Sequence, residues 1–228
     1  MLDPVLLVAL LGGLLPALLW LAFWLMEDRC EPEPKRFIFF CFILGMAAIP
    51  LVLWGEKLVA NYLTGPLLLL AWAIIEEFAK FGAAYFAALR WSVFDEPLDA
   101  VIYLITAALG FAALENTLFI LSPLESGNLL QTILTGNLRF VGATLLHTLS
   151  SATVGLALAF AFYHRASIRR LAAIGGLILA TLLHTLFNLS ILGKGGSSIF
   201  WIFLLIWLGI VGALLLVERV KQPSRDYC

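Results

Sequence analysis

Charge is scarce in this sequence. Of 228 residues only 13% are Asp, Glu, Lys or Arg, against 62% hydrophobic, and the mean hydropathy is +1.02. A water-soluble domain of this length needs far more polar surface, so a soluble fold is excluded. A basic excess is missing too: 14 Lys and Arg stand against 15 Asp and Glu, a formal charge of −1. With no polybasic arm or stripe, nucleic acid is excluded as a partner. Cysteine is sparse and odd in number. Cys30, Cys41 and Cys228 form no Cys-x-x-Cys, so the chain has neither a disulfide framework nor a thiolate metal site.

What fills the chain is a series of seven apolar runs: Pro4 to Met26, Phe37 to Gly55, Thr64 to Leu89, Leu98 to Leu121, Leu138 to Tyr163, Leu171 to Leu192 and Ser198 to Val217. Each can cross about 30 Å of hydrocarbon as a helix rising about 1.5 Å per residue. The expectation is an all-α, polytopic integral membrane protein of about seven transmembrane helices, residues 1–228 forming a single membrane domain. Asp3 rather than a basic residue precedes the first run, which is too long for a signal-peptide core, so it reads as a retained span. The connections are short and carry turn residues, as in Glu31-Pro32-Glu33-Pro34, Asp95-Glu96-Pro97 and Gly193-Lys194-Gly195-Gly196. The longest, Ser122 to Asn137, has room for a short interfacial helix. Arg29, Lys35, Arg36, Arg90, Arg165, Arg169, Arg170, Arg219, Lys221 and Arg225 fall on one side, against Lys57, Lys194 and Arg139 on the other. The positive-inside rule then puts the N-terminus outside and the C-terminus in the cytoplasm.

Four consecutive runs carry ionisable residues in their interiors: Glu76, Glu77 and Lys80, then Glu115, then His147, then His184. Such groups cost roughly 2.5–3.5 kcal/mol each on insertion scales for the charged types, which makes them functional candidates. Counted from the outer ends of the runs, Glu76, Glu115, His147 and His184 lie about 18, 9, 14 and 12 Å deep, in one layer of the outer leaflet. Residues four apart share a helix face, which sets Glu76 over Lys80, Phe111 over Glu115, His147 over Ser151 and His184 over Asn188. Carboxylates and imidazoles at one depth can hold and deprotonate water, as general bases or through a metal. Lys80 would keep a neighbouring glutamate ionised, and Asn188 could donate to an oxyanion. Singly, each has a plainer reading: a neutralising Glu76–Lys80 pair, histidines and Asn116 as helix-to-helix hydrogen bonds, Arg139 snorkelling to headgroups. Coincidence of depth across four adjacent spans favours a site.

These residues resemble the PrsW family of intramembrane proteases, similar in turn to the CAAX-prenyl and bacteriocin-processing proteases. The matching motifs are Glu76-Glu77-x-x-Lys80, Asp99-Ala-Val-Ile-Tyr103 running into Gly110-Phe111-Ala-Ala-Leu-Glu115-Asn116, Arg139 with His147 eight residues on, and His184-x-x-x-Asn188. They cover about residues 64–192, the expected four-helix catalytic core. Leu104 departs from the glycine that often follows the tyrosine. The resemblance implies a peptidase of the bacterial inner membrane whose substrate is a membrane-anchored protein, as in site-1 cleavage of an anti-sigma factor. Glu76, Glu77, Glu115, His147 and His184 would be catalytic, supported by Lys80, Asn116, Arg139 and Asn188, with either Glu76 or Glu77 as the base. A zinc ion on His147, His184 and Glu115 and a metal-free glutamate mechanism both remain open, since the CAAX-prenyl relatives are often described as metal-free. No His-Glu-x-x-His, Gly-x-Ser-Gly or Gly-x-Gly-Asp signature of other intramembrane proteases is present. The competing reading is a proton-coupled transporter or channel using the same residues as a relay, which would more often show an inverted repeat and broken helices at the midplane.

Overall fold

The computed structural model describes residues 3–29, 31–192 and 196–221. Cys30, Lys194 with its flanking glycines Gly193 and Gly195, Arg225 and Cys228 lie outside the described residues. All regular structure among the described residues is helical: α1 (Pro4–Leu25), α2 (Lys35–Ala60), α3 (Gly65–Ala84), α4 (Pro97–Glu125), α5 (Leu129–Leu138), α6 (Thr144–Phe160), α7 (Ala166–Leu192) and α8 (Gly196–Val220). Two π-helical turns, Tyr85–Leu89 and Arg139–Ala143, extend α3 and join α5 to α6. The expected helix in the 122–137 connection is α5. It is no separate interfacial piece, because the π turn makes Leu129–Phe160 one continuous rod.

Local chemistry sets the helix starts. Asp3 accepts from the Val5 amide at 2.9 Å with Pro4 at the first helical position. Glu96 and Asp99 form a reciprocal capping box on α4, Asp99 Oδ2 taking the Glu96 amide at 2.9 Å and the Asp95 amide at 2.8 Å. Gly127, at φ 72°, ends α4, and Asn128 caps α5 through the Gln131 amide at 3.0 Å.

Among the described residues six helical units are long and apolar enough to cross a membrane: α1, α2, α4, the Leu129–Phe160 rod, α7 and α8. The expected seventh, α3, differs because Glu76, Glu77 and Lys80 interrupt its 20 residues. All three are buried, so the charges that spoil its hydropathy never meet lipid. Helix α4 is the centre of the molecule. It is buried along nearly its whole length and packs on α1, α2 and α6, while α3 lies against α2, α4 and α7. Small residues permit this. A Cβ on Gly110 would sit 2.0 Å from the Phe42 carbonyl oxygen, and one on Gly45 would sit 2.1 Å from that of Ala107, so α2 and α4 touch backbone to backbone. The outward faces of α1, α2, α7 and α8 carry exposed leucine, isoleucine and aromatic side chains, as a lipid-facing surface does.

At the first connection, the Glu33 amide donates to Asp28 Oδ2 at 3.2 Å and the Tyr103 hydroxyl donates to the Glu33 carboxylate. Burial beside Asp99 pushes the Glu33 carboxyl up to about 9, reinforced by its hydrogen bond with Asp99 and by the like charges of Asp99 and Asp28. This tie fastens the loop to the first turns of α4, on which Glu115 lies about 24 Å further along.

Candidate functional site

The four helices flagged by the sequence converge. Glu77, one turn before Lys80 on α3, is the hub: its Oε1 accepts from Lys80 Nζ at 2.6 Å, from Ser150 Oγ on α6 at 3.0 Å and from His184 Nδ1 on α7 at 2.7 Å. The i,i+4 expectation placed Lys80 on Glu76, but the observed ion pair is i,i+3 with Glu77, both side chains essentially unexposed. Lys80 Nζ also lies 2.9 Å from His147 Nδ1 and 5.3 Å from the centroid of the Phe111 ring.

On the other side of His147, its Nε2 meets Glu115 Oε2 at 2.9 Å. Arg139, carried by the second π turn, does not reach out to the membrane surface. Its guanidinium spans two successive residues of α4, donating to the Glu115 carboxylate and to the Asn116 side-chain oxygen. Asn116 in turn donates to Thr144 Oγ1 at 2.9 Å.

These contacts fix both imidazoles. Lys80 has only protons to give, so His147 Nδ1 accepts and the ring proton sits on Nε2, donated to Glu115. Glu77 Oε1 is an acceptor, so His184 gives it the Nδ1 proton and keeps its lone pair on Nε2. The two unprotonated ring nitrogens, His147 Nδ1 and His184 Nε2, both lie near one further atom. Glu76 Oε2 lies 3.9 Å from the first and 3.8 Å from the second, and it is buried with no hydrogen-bond partner among the described residues.

Such a donor set suits a metal ion. Glu76, His147 and His184 are the group among the described residues whose ligand atoms converge, all within 4.8 Å of one another. Tetrahedral zinc with bonds of about 2.0–2.2 Å needs donors roughly 3.3 Å apart, so the two Glu76 distances would close by about half an ångström and the widest pair by up to about 1.5 Å. Each histidine also has the outer carboxylate that metal-bound histidines usually have, Glu115 for His147 and Glu77 for His184. The carboxylate joining the two histidines is thus Glu76. Glu115, the candidate from the sequence, reaches His147 alone because Arg139 and the Nε2 proton claim its Oε2.

A cavity of about 550 Å3 opens over these groups. Glu76, Glu115, His147, His184 and Asn188 line it, set among apolar side chains such as Trp72 and Phe111. So does Glu56 of α2, whose carboxyl lies in hydrogen-bond reach of Glu76 and whose carbonyl oxygen accepts from Trp72 Nε1 at 3.2 Å. Sequence reasoning missed Glu56. It sits beside Lys57 at the end of an apolar run, where a charge needs no explanation. Ser150 belongs to the hydrogen-bond cluster through Glu77, whereas Ser151, buried one turn from His147, makes no bond to that ring.

The geometry can be set beside known proteins. A family model described as PrsW family intramembrane metalloprotease matches residues 33–214. A protein named Protease PrsW from Geobacillus kaustophilus is 33% identical over 117 residues, covering 49% of this chain and 51% of the relative. The Protease PrsW of Halalkalibacterium halodurans is 27% identical over 187 residues, 78% of this chain and 81% of the relative. That of Bacillus subtilis is 24% identical over 114 residues, 48% of this chain and 52% of the relative. The chain thus spans about half the length of most of the curated relatives it matches. No solved structure matches. The matched region runs from the loop before α2 into α8 and contains every residue of the buried cluster. By that match over most of its length, the chain belongs to the PrsW family of intramembrane metalloproteases.

Proposed function

We propose that this protein is an intramembrane peptidase that hydrolyses a membrane-anchored protein, in a site-1 type of cleavage such as that of an anti-sigma factor. The observation that carries the reading is the convergence of His147 Nδ1 and His184 Nε2 on the unpartnered Glu76 Oε2, at 3.9 and 3.8 Å, beneath an otherwise apolar cavity. Peptide hydrolysis needs a bound water, a proton acceptor, a stabiliser for the oxyanion and a dry wall for the substrate.

The chain's own residues supply each. Glu76, His147 and His184 would hold a divalent ion such as zinc, which when bound supplies a Lewis acid that acidifies a water. Glu115 engages Arg139 and His147 through the same oxygen, so its other oxygen is available to take the water's proton and later return it to the leaving amine. Arg139 holds that carboxylate in place with one donor, and its second donor, on Asn116, keeps the guanidinium from swinging to the headgroups. Glu77 orients His184, and Ser150 and Lys80 orient Glu77. Asn188, beside His184 on the cavity wall, is positioned to donate to an oxyanion. Ser150 is no nucleophile in this scheme, because its one hydroxyl proton is shared between Glu77 Oε1 at 3.0 Å and the His147 carbonyl at 3.1 Å, and that same Glu77 oxygen, already held by Lys80 and His184, is a weak base.

Counting α3 as a crossing helix makes seven. The lysine and arginine asymmetry then supports an outside N-terminus, a cytoplasmic tail and a reactive layer in the outer leaflet of the bacterial inner membrane. The catalytic core is residues 64–192, to which α2 adds Glu56. The testing experiment incubates purified protein in detergent with a single-span candidate substrate. Wild type is expected to cleave within or near the span, and Glu76→Gln and His184→Ala are expected to be inactive. Cleavage by either variant at near wild-type rate refutes the assignment.

A further inference from the structure

We infer that Lys80 is a built-in place-holder cation: its ammonium occupies the one nitrogen of His147 that an incoming metal ion needs, and a bound ion displaces it onto Glu77. The inference rests on the reading of Glu76, His147 and His184 as the metal-holding set.

Three observations carry it. The first is a conflict over one lone pair. Lys80 Nζ lies 2.9 Å from His147 Nδ1, the atom that also faces Glu76 Oε2 at 3.9 Å, while the other ring nitrogen is committed to Glu115 at 2.9 Å. An sp2 nitrogen has a single lone pair, so it serves the ammonium or the metal and not both. The second is a ready alternative seat. Glu77 Oε1 already lies 2.6 Å from Nζ, and the Phe111 ring faces the same ammonium at 5.3 Å. Lys80 can therefore release His147 without becoming an unpaired buried charge, whose cost would otherwise block the exchange. The third is confinement. Lys80 is 0% exposed, so it cannot retreat to water and has only these two seats.

The arrangement has a chemical purpose. Glu76, Glu77 and Glu115 crowd one buried site, and two cations, Lys80 paired with Glu77 and Arg139 paired with Glu115, offset two of the three carboxylates when no ion is bound. Lys80 lets the site fold before loading. It then acts as a toll on entry, since an ion must displace the ammonium and sit beside its charge. Weakly coordinating divalent ions are rejected and strong imidazole binders such as zinc are retained.

The test is metal affinity, read without proteolysis. Detergent-purified, chelator-stripped protein is titrated with Zn2+ and Co2+ as wild type, Lys80→Met, Lys80→Gln and Glu76→Gln, with thermal melting to show that each variant is folded. Lys80→Met is expected to bind on the order of 10–100-fold more tightly than wild type, the range by which groups contacting metal ligands tune affinity. Lys80→Gln, which keeps a donor without the charge, is expected to fall between them and guards against a Met variant that does not fold. In parallel, the nitrogen NMR resonance of His147 Nδ1, assigned by its loss in His147→Ala, should report a hydrogen-bonded acceptor in stripped wild type and a free one in Lys80→Met. If Lys80→Met binds no tighter than wild type while Glu76→Gln abolishes binding, the metal centre stands and the place-holder is refuted. If neither wild type nor any Lys80 variant binds an ion, the metal reading fails and takes the place-holder with it.

Discussion

Replacing Glu77 by glutamine should damage stability at least as visibly as activity. The carboxylate is 1% exposed and pairs with a lysine that is 0% exposed at 2.6 Å. Removing one partner of a buried ion pair leaves an uncompensated charge, a cost of about 3–5 kcal/mol. For a chain of this size each kcal/mol shifts the melting temperature by about 2–4 °C, so Glu77→Gln should melt about 6–20 °C below wild type. Glutamine also keeps only one acceptor oxygen beside three donors, from Lys80, Ser150 and His184, and brings an amide that needs an acceptor of its own. The companion variant Glu77→Gln with Lys80→Met removes both charges. Because a buried pair replaced by neutral groups is often close to neutral in stability, the double variant should recover most of the loss yet stay inactive, since His184 remains without its carboxylate. The assay is thermal unfolding in detergent alongside cleavage of a single-span substrate. A Glu77→Gln protein melting within about 2 °C of wild type, or a double variant melting below the single one, would refute the hub role given to this pair.

Glu115→Gln should lower cleavage by orders of magnitude, whereas Ser150→Ala with Ser151→Ala should keep measurable cleavage; covalent labelling of either serine by a fluorophosphonate with loss of activity would reverse that assignment. Glu33 should impose a pH dependence on stability. Its folded carboxyl is raised from 4.5 to about 9, so the stabilisation it contributes is complete below about pH 4.5 and is lost as the pH rises through 9. Melts of Glu33→Gln across this window should be flatter than wild type, and parallel curves would argue against a buried proton at that loop. An otherwise cysteine-free protein labelled with an impermeant thiol reagent should react in intact cells at Asn61→Cys and not at His164→Cys, the opposite pattern placing the reactive layer in the cytoplasmic leaflet.

The helices were legible because apolar runs of this length have few alternatives, and the layer was legible because ionisable residues stand out within them. Other features are set by three-dimensional packing. Positions i+3 and i+4 share a face, so the pattern could not choose between Glu76 and Glu77 as the partner of Lys80; the approach of Ser150 and His184 from α6 and α7 decides it. Among the carboxylates the sequence pointed to Glu115 beside the two histidines; its pattern could not show that Arg139 turns inward onto Glu115 while Glu76 lies near both imidazoles. Glu56 gave no signal because a charge near a helix end is ordinary, and only the packing of α2 on α3 brings it to the cavity. The merging of α5 with α6 was hidden because no residue type marks a π turn.

That π turn gives the chain an asymmetric tolerance to length at one place. Between Arg139 and Ala143 the helix closes its hydrogen bonds over about one residue more than the regular rods on either side. Deleting Phe140, Val141 or Ala143 would let the segment relax into ordinary α-helix with the rods before and after it keeping nearly their present relative rotation, so Arg139 would stay on the side of α4 that bears Glu115 and Asn116. An insertion has no such slack: one residue added in ordinary helix turns everything before it by about 100° relative to α6. The molecule should therefore accept a single-residue deletion along this stretch more readily than a single-residue insertion, the turn itself holding one residue in reserve.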